Sequence, residues 1–121
     1  MAEVALDTGG AQGLGAAAAR ALAQRGCTVA VADLNAAGAD AVAAACGRES
    51  LAIGIDLAMA DGPAVMVDRT VERFGRLDIL VQCAAAAPAE AFLDMTAEAW
   101  EAALLVNVRA VALAMAAAGK V

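Results

Sequence analysis

The chain has 121 residues, 63% of them hydrophobic and 2% aromatic, with no Tyr and no His; that length bounds it to one small domain with a core of Val, Leu, Ile, Met and Ala. A net charge of −6 and a pI near 4.4 argue against a nucleic-acid partner. Three scattered cysteines, Cys27, Cys46 and Cys83, show neither metal spacing nor a disulfide framework, which fits a reducing, cytoplasmic compartment.

The elements follow a regular alternation. Val4 to Asp7 reads as a short strand. Leu14 to Gln24 reads as a helix, closed by a cation and then a glycine, Arg25-Gly26. Cys27 to Ala32 is a continuous apolar run, as a strand buried on both faces should be. Asn35 caps a second helix that runs to about Cys46, with Gly47 after it, and Leu51 to Ile55 is a third strand. Pro63 to Phe74 is a third helix, closed by Gly75, and Leu77 to Cys83 is a fourth strand. A loop around Pro88 leads to Thr96, the N-cap of a long helix to about Ala118. Four strands alternating with four helices imply a parallel sheet covered on both faces. Met1-Ala2-Glu3 lacks the basic start of a signal peptide. The apolar stretch Ala102–Val121 contains Asn107 and Arg109. A central Arg costs about 2.5–3.5 kcal/mol in a membrane span, so the stretch reads as a buried helix and no membrane partner is expected.

Between the first strand and the first helix stands TGGAQGLG, Thr8 to Gly15, half of it glycine. Glycine weakens regular structure, so a cluster marks a tight turn or a close backbone approach to a ligand. A helix N-terminus beside it offers unpaired N–H groups and a positive dipole end, which suit a phosphate. Two registers are open. Gly13-Leu14-Gly15-Ala16-Ala17-Ala18 fits G-x-G-x-x-A, whereas Gly9, Gly13 and Gly15 form G-x-x-x-G-x-G. The second starts where the apolar run stops and is preferred. A plain surface turn is the competing explanation. Asp33, at the end of the second strand and eighteen residues beyond Gly15, shifts the balance. In a dinucleotide-binding fold an acid there accepts hydrogen bonds from the adenosine ribose hydroxyls, and its charge repels a 2′-phosphate. Its alternative is an ordinary Asp in a strand-to-helix turn.

These residues resemble the short-chain dehydrogenase/reductase family. Thr8–Gly15 matches the family's T-G-x-x-x-G-x-G, and Asp33 falls at its NAD-selecting acid. Asp56-Leu57, Asp78-Ile-Leu-Val81, Trp100 and Val106-Asn107-Val108 extend the match over nearly the whole chain. The resemblance implies an incomplete, Rossmann-like doubly wound sheet in the order 3-2-1-4, forming a single truncated dinucleotide-binding domain over 1–121. It implies NAD as cofactor and an alcohol or ketone as the substrate of a complete family member. Gly9, Gln12, Gly13, Leu14 and Gly15 would approach the pyrophosphate. Asp33 and Leu34 would hold the adenosine ribose, Asp56 and Leu57 would contact the adenine, and Cys83, Ala84 and Ala85 would form the floor. Asn107 would belong to the catalytic group, bending its helix and holding a water of the proton relay; its competing explanation is a lone polar residue satisfied inside an apolar helix.

The departures from the family are equally specific. Its N-N-A-G motif is Gln82-Cys83-Ala84-Ala85 here, and an apolar position of the first strand is Asp7. A buried unpaired charge costs several kcal/mol or takes up a proton, and Asp7 reads as a damaged position. The family's catalytic Ser and Tyr-x-x-x-Lys would lie beyond Val121; this chain has only Ser50, only Lys120 and no Tyr. The expectation is a chain that binds adenine dinucleotide weakly or not at all and is inactive by itself. The alternatives are a non-catalytic nucleotide-binding module and an interaction protein that pairs through its fourth helix. An open fourth strand and an apolar fourth helix point to a homo-oligomer or an aggregation-prone chain.

Overall fold

The computed structural model describes all residues, Met1–Val121. Four parallel strands form one sheet in the order β3-β2-β1-β4: β1 (Val4–Thr8), β2 (Thr28–Asp33), β3 (Leu51–Gly54) and β4 (Ile79–Gln82). The helices are α1 (Gly13–Gln24), α2 (Ala36–Cys46), α3 (Gly62–Phe74) and α4 (Ala97–Ala118). The alternation and strand order match the sequence expectation.

Both faces of the sheet are covered. On one, Leu6, Ala30, Ala32 and Ile53 pack against Met66 and Val67 of α3 and Ala114 of α4. On the other, Val29 and Val31 meet Ala16 and Ala19 of α1 and Ala39, Val42 and Ala43 of α2. Successive strand residues point to opposite faces, so β1 and β2 must be apolar throughout to fill both layers. The exception is Asp7, which lies opposite Val31 of β2 and Val81 of β4. Asn35 caps α2 by accepting the Gly38 N–H at 3.0 Å, and Thr96 caps α4 by accepting that of Ala99 at 3.2 Å. Gly75, at φ +78°, ends α3 with its N–H on the Val71 carbonyl at 2.7 Å.

Three expectations are corrected. β4 is shorter than Leu77–Cys83, because β1 is its only partner and their register runs from Ala5–Ile79 to Thr8–Gln82. Asp78 instead accepts the Val4 N–H and forms an ion pair with Arg76. Second, a one-turn 3₁₀ segment, Phe92–Asp94, precedes α4; its Phe92 meets Trp100 of α4 edge to face with ring centroids 6.3 Å apart. Third, α4 is not a buried helix. Only Ala110 and Ala114 are buried, while Trp100, Leu104, Val108 and Met115 are exposed. The helix lies mainly against α3 and β4, which covers one stripe of a cylinder that is apolar nearly all round. Its 22 residues, with a mean hydropathy of 1.6 in the most apolar window, are long and apolar enough to cross a membrane by length and composition.

Candidate functional site

The sheet order reverses between β1 and β4, and at the carboxyl ends of the strands the connections leave in opposite directions. Such a switch point leaves a crevice. Here it is a cleft of about 470 Å³. Its walls are Gly9, Gln12, Gly13, Leu14 and Gly15 after β1, Asp33 and Leu34 after β2, Asp56 and Leu57 after β3, and Cys83, Ala84 and Ala85 after β4. The fold therefore gathers all twelve binding candidates around one space. Ile55, Ala86 and Val106 also line it and were not foreseen; each adjoins a residue that was. Asn107 is outside the wall.

β1 ends at Thr8, and Gly9–Gln12 form the turn into α1, which agrees with the G-x-x-x-G-x-G register. The glycines serve different needs. Gly13 sits at φ +56° in open space, so its conformation alone favours glycine. Gly15 has no room for a side chain, since a Cβ there would overlap the Gly9 carbonyl. The helix start is thus pressed onto the turn. The Ala16 N–H pairs with the Gln12 carbonyl at 3.1 Å, whereas the amides of Gly13, Leu14 and Gly15 make no bond to the rest of the chain. No side chain caps α1 and no acid occupies its first turn. Unpaired donors and the positive helix end therefore face the cleft.

Asp33 holds the neighbouring edge. One carboxylate oxygen accepts the Ala11 N–H at 3.0 Å and the other that of Asn35 at 2.8 Å. It is not the N-cap of α2, a place taken by Asn35, yet it ties the glycine turn to the end of β2. A carboxylate offers about four acceptor sites, so two remain after these bonds. Across the cleft, Asp56 accepts the Ala58 N–H at 2.9 Å, and the Ala58 carbonyl accepts from Arg109 Nη2 at 2.6 Å.

The floor after β4 is held without the two Asn side chains of the family motif. The Thr8 carbonyl accepts the Cys83 N–H at 3.1 Å, and its hydroxyl oxygen accepts that of Ala84 at 3.3 Å. Gln82 Nε2 donates to the Val111 carbonyl at 3.4 Å. Asn107 uses both ends of its amide on one residue: Oδ1 accepts the Ala86 N–H at 2.8 Å and Nδ2 donates to the Ala86 carbonyl at 2.7 Å. The helix forms a π-turn there, Leu105–Arg109, a local widening often found where a helix is adapted to a site. The two polar residues that interrupt the apolar α4 sequence thus anchor opposite walls, Asn107 at Ala86 and Arg109 at Ala58. Burial, and to a smaller extent the Asp7 charge, push the Cys83 thiol up, which keeps it protonated at neutral pH.

Asp7 lies beneath the glycine turn with no solvent exposure, and neither carboxyl oxygen has a hydrogen-bond partner. Burial, aided by the charge of Asp33, pushes its pKa up to about 7.

Comparison with known proteins agrees with this arrangement. The family model described as short chain dehydrogenase matches residues 3–120. D-threitol dehydrogenase of Mycolicibacterium smegmatis is 38% identical over 98% of this chain, which covers 46% of that protein. A short-chain dehydrogenase from Burkholderia cenocepacia, solved with NADP, superposes with a TM-score of 0.92 at 43% identity, over 98% of this chain and 50% of its own. The 3-ketoacyl-(acyl-carrier-protein) reductase of Brucella melitensis, solved with NADH, gives a TM-score of 0.86 at 30% identity, over 94% and 48%. The chain spans about half the length of these relatives. Because the family model matches nearly its whole length, residues 3–120, the chain belongs to the short-chain dehydrogenase/reductase family.

Proposed function

We propose that residues 1–121 form a single dinucleotide-binding unit whose cleft holds the adenosine diphosphate part of a nicotinamide dinucleotide, with NAD preferred over NADP. One observation carries this: the uncapped start of α1, its first amides unpaired, opens into a cleft edged by the Asp33 carboxylate. The residues present fit the group. Gly13, with open space around it, leaves the backbone approach clear for the pyrophosphate, and Asp33 has acceptor sites left for the ribose hydroxyls. None of the fifteen residues lining the cleft is Lys or Arg, so nothing there offsets the repulsion between Asp33 and a 2′-phosphate. Asp56 and Leu57 take the adenine side, Leu34 presents an exposed apolar side chain beside the ribose, and Cys83, Ala84 and Ala85 form the floor. Free cysteines agree with a cytoplasmic setting.

Two of the relatives named above are solved with NADP or NADH, and oxidation of an alcohol or reduction of a ketone is the activity proposed for the lineage. Residues 1–121 contribute the binding half. Asn107 is proposed as this chain's member of the catalytic group; the contact its side chain makes is positional, through the Ala86 floor. Hydride transfer needs a positioned proton donor or acceptor, and these residues include neither Tyr nor His. Binding without turnover is therefore expected of this chain alone. Pairing through α4 is a second role, favoured by the exposed row of Trp100, Leu104 and Val108.

The test is calorimetric titration with NADH of the wild-type chain and a Gly15→Val variant, with circular dichroism to confirm that both fold. Saturable binding lost in the variant is the expected result, with no NADH formed from NAD and secondary alcohols. Equal binding by the two would place the dinucleotide elsewhere.

A further inference from the structure

We propose that Asp7 is a proton-dependent latch beneath the glycine turn: the β1–α1 turn stays closed over the neutral acid, and ionisation of the acid opens it. The latch stands whatever the cleft binds.

The geometry begins with the sheet. Asp7 occupies a rung of the two inner strands, between Val31 and Val81, with no solvent exposure. Its two carboxyl oxygens lack any partner. The turn rests directly on it: a Cβ on Gly10 would stand 2.5 Å from Asp7 Oδ2 and 2.5 Å from Val31 Cγ1. An ionised carboxylate held there without donors carries a large desolvation penalty. The layer above offers no relief. The groups that bear on it are Asp33 at the end of β2, Cys46 at the end of α2 and Cys83 beyond β4. Every one of these is acidic or neutral. Arg20, the only charged residue of α1, and Asp40 of α2 are both exposed, and the chain's two ion pairs involve neither of them nor Asp7. The ionised group therefore gains by reaching water, and the turn, with Gly10 buried against Asp7, lies over it.

The sign follows from the two states. In the open turn Asp7 titrates near its ordinary value of 3.8, and in the closed turn near 7. The closed state thus binds more protons between those values, so closure weakens as pH rises through that window and levels off above about 7. This is opposite to the usual salt-bridged carboxylate, whose contribution is lost on acidification. Three amides report the closed turn: those of Gly9 and Gly10 bond to the Ala32 carbonyl at 2.9 and 3.3 Å, and that of Ala11 to Asp33 at 3.0 Å.

The experiment is amide hydrogen exchange at Gly9, Gly10 and Ala11 from pH 5 to 8.5, with rates divided by those of the unfolded chain at each pH. In the wild type the opening constant should rise about tenfold per pH unit up to about pH 7 and then level off. In Asp7→Asn it should be flat. Asp7→Val, which restores an apolar rung between Val31 and Val81, serves if the Asn variant does not fold, and should also be flat. A flat profile in the wild type, or the same rise in Asp7→Val, would overturn the latch.

Discussion

β1 and β4 lie side by side in one ladder, yet every residue of β1 is buried and no residue of β4 is. β1 has a strand on each side and helices over both faces. β4 has one neighbouring strand and only slight helix cover, from α1 and α4. The cleft straddles this boundary. Its glycine turn stands on the better-buried strand, and its floor stands on the exposed one. The floor is consequently secured by discrete polar ties from Thr8, Gln82 and Asn107, whereas the turn adds close packing, Gly15 against Gly9 and Gly10 on Asp7, to its hydrogen bonds with Ala32 and Asp33. Burial places a main chain over its whole length, and hydrogen bonds place it only where they are made.

The largest expected effect tests that contrast in stability. Leu6, fully buried on β1, and Leu104, 48% exposed on α4, are the same residue type in the two regions. Leu6→Ala should lose about 2–5 kcal/mol on urea unfolding, the usual cost of a large-to-small change in a packed core. Leu104→Ala should stay within about 0.5 kcal/mol. Comparable losses at both positions would show that the exposed helix is packed as firmly as the sheet centre.

A smaller effect on stability, though a visible one on association, concerns the same helix. Replacing Leu104 and Val108 together by Gln removes apolar surface where nothing in the chain covers it. Light scattering at tens of micromolar should move toward the 11.9 kDa monomer, with the melting temperature little changed. Unchanged assembly would mean that association runs through the open edge of β4 instead.

How much of this was legible in the sequence follows the same boundary. The β1–turn–α1–β2 region could be read closely, because its determinants are local: an apolar run, glycines at fixed offsets and an acid at the strand end. Even the preferred glycine register agrees with where β1 stops. The β4–α4 region was read less well. The seven residues Leu77–Cys83 are only partly strand, because strand length is set by the partner and not by hydrophobicity. α4 looked like a core helix because composition cannot show how much of a helix finds cover. The ties from Asn107 to Ala86 and from Arg109 to Ala58 span 21 and 51 residues, and nothing in the local sequence signals either. Asp7 was visible as an anomaly, but its position beneath Gly10 became apparent only once the turn was folded onto it.

The central claim is that the cleft takes an adenine dinucleotide with Asp33 at its ribose edge. Parallel calorimetric titrations of the wild-type chain and Asp33→Ala with NADH and NADPH test it most directly. The account predicts tighter binding of NADH by the wild type, with the preference reduced or lost in the variant. Tighter NADPH binding by the wild type, or an NADH affinity unmoved by Asp33→Ala, would contradict it.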